Sequence, residues 1–237
     1  MRRAVIMAGG EGRRLRPLTE FIPKPLISLG GRPLIEIMIQ QLREADVTEI
    51  ILAVHYKADM FRDHLGDGSR LGVHLEYVIE PTPLGTIGAL TLLRDRLTGP
   101  CFVVNADILT TCDFRAMWDF HAAQDHAAMT VGMSLYPVEV PVGTLVLQHG
   151  CVMGTETDRW KSYPINTGIY ILDREAIALL PSYGAVDATD MIRTLVDRGQ
   201  VVAAYMIRDY WRDIGRPEDY EQADRDIAEG LLLGRIA

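Results

Sequence analysis

Arg3-Ala4-Val5-Ile6-Met7-Ala8 runs straight into Gly9-Gly10-Glu11-Gly12-Arg13-Arg14-Leu15-Arg16-Pro17-Leu18-Thr19. Residues 3–8 read as a strand buried on both faces, because apolar residues follow one another without polar alternation. Glycines directly after such a strand let backbone N–H groups approach an anion closely. The spacing fits neither common phosphate loop. There is no G-x-x-x-x-G-K-S/T, and G-x-G-x-x-G fails because Leu15 stands where its third glycine would be. The cation density is the distinctive feature. Arg13, Arg14 and Arg16 follow the glycines, and Lys24 sits between Pro23 and Pro25, which restrict the backbone on each side. A lysine anchored opposite an arginine-bearing glycine loop suits a polyphosphate. Glycine content alone is equally consistent with a flexible loop and solvated charges.

Outward from this loop, strands alternate with helices. Leu34, Ile35, Ile37, Met38, Ile39 and Leu42 follow helical spacing over 33–45, with Pro33 expected in the first turn. Strands are expected at 49–54, 73–79 and 101–105, and helices at 57–65 and 86–97. Thr86 is a natural cap for the second of these helices. Farther on, the pattern predicts strands at 127–135, 144–147, 166–172 and 201–207. Helices are expected at 114–124, 174–180, 188–198 and 217–229. The alternation predicts an α/β chain with a Rossmann-like mixed, mostly parallel central sheet flanked by helices. Ligands bind off the carboxyl ends of strands in such sheets, which singles out loops 9–25, 80–86 and 106–112.

Asp107 follows the buried-looking strand 101–105, over that crevice. A hard divalent cation such as Mg²⁺ prefers carboxylate and phosphate oxygens, which suits this position. The competing role, a helix N-cap, falls more naturally to Asp113. Asp213, in Trp211-Arg212-Asp213-Ile214-Gly215-Arg216-Pro217, reads on its own as part of a polar turn before a helix.

The chain has 237 residues and a formal net charge of −8; 48% of its residues are hydrophobic and 24% charged. A chain of this size buries roughly 70–75% of its unfolded surface and needs no staple to fold. The acidic balance argues against nucleic acid as a partner. No segment approaches the ~18 apolar residues of a membrane span, so no membrane partner is expected. The opening apolar run is too short for an export signal, which makes a cytoplasmic location the expectation. Cys101, Cys112 and Cys151 are odd in number and form no C-x-x-C pair. The six histidines are scattered, with no arrangement for nucleophilic catalysis. The chain ends soon after the helix expected at 217–229, so no further domain is expected.

Taken together, these stretches resemble the sugar-1-phosphate nucleotidyltransferases. Residues 8–25 are similar to that family's G-G-x-G-T/S-R-L-x-P-L-T signature followed by P-K-P, with Arg13 in place of Thr or Ser. Glu80-Pro81-Thr82-Pro83-Leu84-Gly85-Thr86-Ile87-Gly88-Ala89 resembles its E-x-x-P-L-G-T loop. Asn105-Ala106-Asp107 resembles its N-G-D, and 211–217 its closing W-x-D-I/V-G-x-P. The resemblance extends over residues 1 to about 222. It implies a nucleotide-diphospho-sugar transferase fold: a single domain over 1–237, with a nucleotide-binding part about 1–112 and a sugar-binding part about 113–222.

The resemblance also implies roles. Arg14, Lys24 and Asp107 are catalytic, with Lys24 on phosphate. Ala8, Gly9, Gly10, Gly12, Arg13, Glu80, Leu84, Gly85 and Thr86 hold the nucleotide. Asp107 and Asp213 bind Mg²⁺. On the sugar side are Gly143, Glu156, Asn166 and Gly168. The family's E-K-P lysine is replaced by Thr157, so Arg159 or Lys161 would supply the missing cation, with changed geometry if it is the arginine.

The implied activity is Mg-dependent conversion of an NTP and a sugar 1-phosphate to an NDP-sugar and pyrophosphate. Guanylyl or uridylyl transfer to a hexose or heptose 1-phosphate is expected. Two alternatives stay open: a regulatory relative that binds nucleotide sugar, and a cytidylyltransferase acting on phosphocholine. Ile227, Leu231, Leu232, Leu233 and Ile236 are candidates for a homodimer surface or for a tail covering its own domain.

Overall fold

The computed structural model describes residues 2–156 and 158–232. Its strands are β1 (Arg2–Ala8), β2 (Ser28–Leu29), β3 (Arg32–Pro33), β4 (Val47–Val54), β5 (His74–Ile79), β6 (Cys101–Asn105), β7 (Ile108–Thr110), β8 (Ala127–Glu139), β9 (Thr144–Gln148), β10 (Cys151–Glu156), β11 (Trp160–Leu172), β12 (Val201–Met206) and β13 (Trp211–Asp213). The helices are α1 (Leu34–Glu44), α2 (Ala58–Leu65), α3 (Phe114–Ala123), α4 (Arg174–Ala178), α5 (Ala188–Asp197) and α6 (Pro217–Ala228).

Seven strands form the central sheet in the order β12-β8-β11-β6-β1-β4-β5. Only β11 runs against its neighbours β6 and β8; the other pairings are parallel. The sheet is therefore mixed and mostly parallel, as the alternation predicted. From β1 the chain builds outward through β4 to β5, then returns to add β6 on the other side of β1. The strand order reverses there, and the crevice beyond Ala8 and Asn105 lies at this switch.

Both faces of the sheet are covered. One core joins Ile6, Val54 and Phe102 to α1, α2 and α3 through Ile35, Phe61 and Met117. The other joins Val5, Val103 and Tyr170 to Leu90, Leu93, Met191 and Leu195. A third, smaller core of Leu15, Leu29, Leu34, Ile37, Leu109, Ile214, Ala223 and Leu232 fastens the glycine loop and α6 to the body. Leu232 is thus buried against its own domain, and Leu231 is exposed. Leu233 and Ile236 lie outside the described residues.

Several expectations need correction. Residues 86–97 do not form an α-helix; Gly88–Leu93 is 3-10. A 3-10 turn aligns every third residue, and Ile87, Leu90 and Leu93 are all fully buried. Pro33 pairs with Ser28 in the small β2–β3 ladder and precedes α1 instead of entering its first turn. Strands β8 and β11 run well past their expected ends. The added stretch is a two-stranded extension, Trp160↔Glu139 to Ile165↔Ser134, where Pro137 and Pro164 are tolerated because its outer edges carry no ladder to lose. Strand β10 was not anticipated. The turn reading of 211–213 is also overturned: Trp211↔Thr110 and Asp213↔Ile108 form an antiparallel ladder.

Candidate active site

The loops after β1, β5 and β6 enclose a cleft of about 440 Å³. Its floor comes from Met7, Ala8, Asn105, Ala106 and Asp107, and Gly9, Gly10, Gly12 and Arg14 form one wall. Ala106 donates its N–H to Met7 O at 3.0 Å, which continues the β1–β6 pairing into the crevice. Gly12 has φ +62°, and a Cβ there would stand 2.9 Å from the Thr19 methyl and 3.2 Å from Lys24 Cβ. The loop therefore closes tightly over residues 19–24, and Thr19 Oγ1 donates to Gly12 O at 2.8 Å. Gly10 is different: nothing lies within 4 Å of where its Cβ would be.

Lys24 is buried, with its Nζ 2.7 Å from Asp107 Oδ2 and 3.5 Å from Asp213 Oδ1. The two aspartates, distant in sequence, meet because β13 pairs with β7, and Ile214 donates its N–H to Asp107 O at 2.9 Å. Burial raises the Asp213 carboxyl above its ordinary value, and the facing Asp107 adds to this; Lys24 and Arg14 work the other way. Asp213 Oδ1 is buried and accepts no well-formed hydrogen bond among the described residues. A Cβ on Gly215 would stand 3.4 Å from both the Arg14 guanidinium and Asp213 Oδ2. Arg14 thus reaches over Gly215 toward the carboxylates. Two carboxylates converging on one point, one with an unsatisfied oxygen, are a donor set that fits a hard divalent cation.

At the other end, Glu80 is buried and accepts the Leu84 N–H at Oε2, 3.1 Å. Burial raises its carboxyl above the ordinary value, against the pull of the Leu84 N–H and of His55. A Cβ on Gly9 would collide with Glu80 Oε1 at 2.5 Å, so Gly9 and Glu80 require each other. Leu84, Gly85 and Thr86 line this end of the cleft. Thr86 does not cap the segment that follows it. Its hydroxyl oxygen accepts the Ala188 N–H at 2.8 Å, at the start of α5.

All nine residues expected on the nucleotide side line the cleft, together with Arg14, Lys24 and Asp107. Arg13 also binds Glu11, Nε to Oε2 at 2.7 Å, and is largely exposed. The sugar side is not assembled in the same way. Among the described residues, none of Gly143, Glu156, Arg159, Lys161, Asn166 and Gly168 belongs to the cleft lining. Glu156 and Lys161 are ion-paired with each other, and Gly143 is exposed. Asn166 Oδ1 accepts the Gly168 N–H at 3.0 Å. Gly168, at φ +75°, lies where a Cβ would be 2.6 Å from Asn105 Nδ2, so this pair borders the cleft through Asn105. Thr157 lies outside the described residues.

Among the contributors that the sequence reading did not name, three stand out. Asn105 and Gly215 line the cleft, and both stand inside motifs already quoted. Asp187 accepts the Thr86 N–H at 2.9 Å and carries no local signal beyond its place before a helix.

Comparison with known proteins places this geometry. A family model for nucleotidyl transferases matches residues 3–230. A mannose-1-phosphate guanylyltransferase from Mycobacterium tuberculosis is 32% identical over 96% of this chain and 65% of its own length. The chain spans just under two thirds of the length of such curated relatives. HddC from Yersinia pseudotuberculosis, solved with GMP-PN, is 29% identical with a TM-score of 0.72, covering 96% of this chain and all of that one. A Bacillus anthracis protein assigned as a glucose-1-phosphate thymidylyltransferase, solved with sucrose, is 25% identical with a TM-score of 0.77, covering 95% and 94%. The chain belongs to the nucleotidyl transferase family.

Proposed function

We propose that this chain transfers a nucleotidyl group from an NTP to a sugar 1-phosphate, releasing pyrophosphate, with GTP and a hexose 1-phosphate such as mannose 1-phosphate as the favoured pair. The observation that carries this reading is the convergence of Asp107, Asp213, Lys24 and Arg14 beside a glycine loop at the switch point of the sheet. The guanylyltransferase relative and the guanine nucleotide held by the structural neighbour support the choice of base.

A sugar phosphate is already a nucleophile, so no general base is required. That agrees with a site whose groups are cations, carboxylates and backbone N–H donors. The difficulty is that two anions must meet in line, and the chain's contribution is positioning and fixed charge. The glycine loop offers backbone N–H groups to the triphosphate. Arg14 neutralises charge gathering on the departing pyrophosphate. Lys24 holds both carboxylates in place and is assigned to the reacting phosphates. Asp107 and Asp213 would hold Mg²⁺, which when bound supplies charge neutralisation between the two phosphate groups. Asn166 and Gly168 are assigned to the sugar, reached past Asn105. Gly143, Glu156, Arg159 and Lys161 are assigned to the acceptor on the resemblance alone, since they lie outside the cleft lining.

The test is pyrophosphate release with Mg²⁺ across five NTPs and a panel of hexose, heptose and aminosugar 1-phosphates with phosphocholine. The expected result is turnover with GTP and a hexose 1-phosphate above all other pairs. Silence across the panel, with nucleotide still bound in calorimetry, would overturn transfer and leave a nucleotide-sugar-binding regulator.

A further inference from the structure

Helix α5 begins in an unusual way. Asp187 stands at its N-cap, where an aspartate ordinarily accepts an N–H from its own first turn. Here its side chain makes no such bond. Its Oδ1 instead accepts the N–H of Thr86, 101 residues earlier in the chain, at 2.9 Å. Thr86 in turn supplies the missing cap, its Oγ1 accepting the Ala188 N–H at 2.8 Å. A reciprocal pair of hydrogen bonds thus ties the two segments together.

Backbone bonds frame this pair. Val186 donates its N–H to Leu84 O at 2.8 Å, and Val186 O accepts the Ile87 N–H at 3.0 Å. Gly85, at φ +81°, lies so close that a Cβ would be 2.8 Å from Val186 O and 2.9 Å from Asp187 Oδ1. On the opposite side the loop is held by Glu80, through the Leu84 N–H. Leu84, Gly85 and Thr86 form the rim of the cleft's far end, and the Thr86 N–H and hydroxyl oxygen both bond to the start of α5. The resemblance assigns this rim to the nucleobase, so whatever holds Thr86 also holds the surface that a base would meet.

We infer that Asp187 is a positioning residue for the nucleobase: through its reciprocal hydrogen bonds with the Thr86 segment it fixes the distance between the Leu84–Thr86 rim and the Glu80 wall, and so sets base affinity and selectivity. The assignment rests on the nucleotidyl-transfer reading above. Asp187 touches no ligand in this role. Its carboxylate forgoes its own helix, and the loss of local capping is recovered by Thr86 only while the loop stays docked.

The experiment uses the full chain with Asp187→Ala, Asp187→Asn and Thr86→Val. KM and kcat are measured with GTP, UTP, CTP and dTTP, and fluorescent mant-GTP binding is titrated in parallel. Asp187→Ala is expected to raise KM for GTP and the mant-GTP Kd about tenfold, the size of one good hydrogen bond, with kcat changed less than threefold. The GTP-to-UTP selectivity ratio falls with it. Asp187→Asn keeps an acceptor oxygen and restores both to within about threefold of the parent, and Thr86→Val reproduces the Asp187→Ala pattern. Three results would overturn the inference while leaving the proposed function intact. The parent turns over GTP and Asp187→Ala keeps the parental KM and selectivity; Asp187→Asn fares no better than Asp187→Ala; or the only change is a lower Tm. A parent that binds no nucleotide overturns the functional reading itself, and the base-positioning role with it.

Discussion

Gly10 and Gly12 sit two residues apart in one loop, yet the structure predicts opposite consequences for replacing them. Gly12→Ala puts a side chain on a left-handed residue, φ +62°, which costs about 1–2 kcal/mol. The new methyl would also stand 2.9 Å from the Thr19 methyl and 3.2 Å from Lys24 Cβ. Crowding of that kind in a packed region costs about 1–3 kcal/mol. After partial relaxation the sum is about 2–4 kcal/mol, or a fall in Tm of roughly 5–15 °C for a chain of this length. Lys24 moves with its Cβ, so kcat falls as well. Gly10→Ala meets nothing within 4 Å and has no positive φ to oppose it, so Tm stays within about 1 °C. The same open space is where a triphosphate would lie against the backbone, and a methyl there raises KM for the NTP about tenfold or more. The assay is differential scanning fluorimetry beside steady-state kinetics on the two variants. An unchanged Tm for Gly12→Ala would refute the steric argument. A Gly10→Ala enzyme with parental KM would refute the idea that phosphate approaches the backbone there.

Arg14→Ala should lower kcat on the order of 10²–10³-fold, as removal of a single electrostatic stabiliser does elsewhere. Arg13→Ala, which removes a largely exposed arginine paired with Glu11, should change kcat only a few-fold and leave Tm alone; equal losses in the two variants would mean that the wrong arginine has been assigned. Asp213→Asn should weaken Mn²⁺ binding, read by electron paramagnetic resonance with GTP present, and parental Mn²⁺ affinity in that variant would remove Asp213 from the cation site. Glu36 gives a pH test away from the cleft. Burial works against its ionisation, but hydrogen bonds from Arg70 and His64 outweigh this and hold its carboxyl below the ordinary value. A depressed folded-state value means that the stabilisation is present above the unfolded carboxyl's pKa and is lost as pH falls through the folded one. Glu36→Gln should therefore be less stable than the parent by about 1–2 kcal/mol near pH 7, a gap that narrows as pH falls through the carboxyl's depressed folded-state value. A gap that stays constant throughout acidification would point to packing instead.

What could be read from the sequence follows the range of the physical signal. The first strand, its glycines and Lys24 between two prolines are contiguous, and each residue restricts its neighbours. Asp107 was legible because a buried strand ends beside it, and strand ends are where crevices form. Asp213 was legible only by resemblance. What brings it to Asp107 is a three-residue ladder, Trp211–Asp213 on Ile108–Thr110, too short to leave an apolar period. Thr86 misled for a related reason: a threonine before apolar residues at helical spacing looks like their cap, and nothing local says that it caps residue 188 instead. The extension of β8 and β11 carries Pro137 and Pro164, which a strand accepts only where no ladder needs their missing N–H, a condition that the sequence does not show.

The β7–β13 ladder also bears on the order of assembly. The contacts of β1, α1 and β4 are local and can form early, whereas joining residue 213 to residue 107 closes a long loop whose entropy must be recovered by later packing. The glycine loop's bond to Thr19 is local, but its packing through Leu15 against Ile214 waits, like the second carboxylate, on β13. During refolding, the paired acids would be completed only when β13 docks and α6 seals the small core around Leu15 and Ile214. Cation-dependent activity would then report that docking step, because the site has both its carboxylates only once β13 is in place.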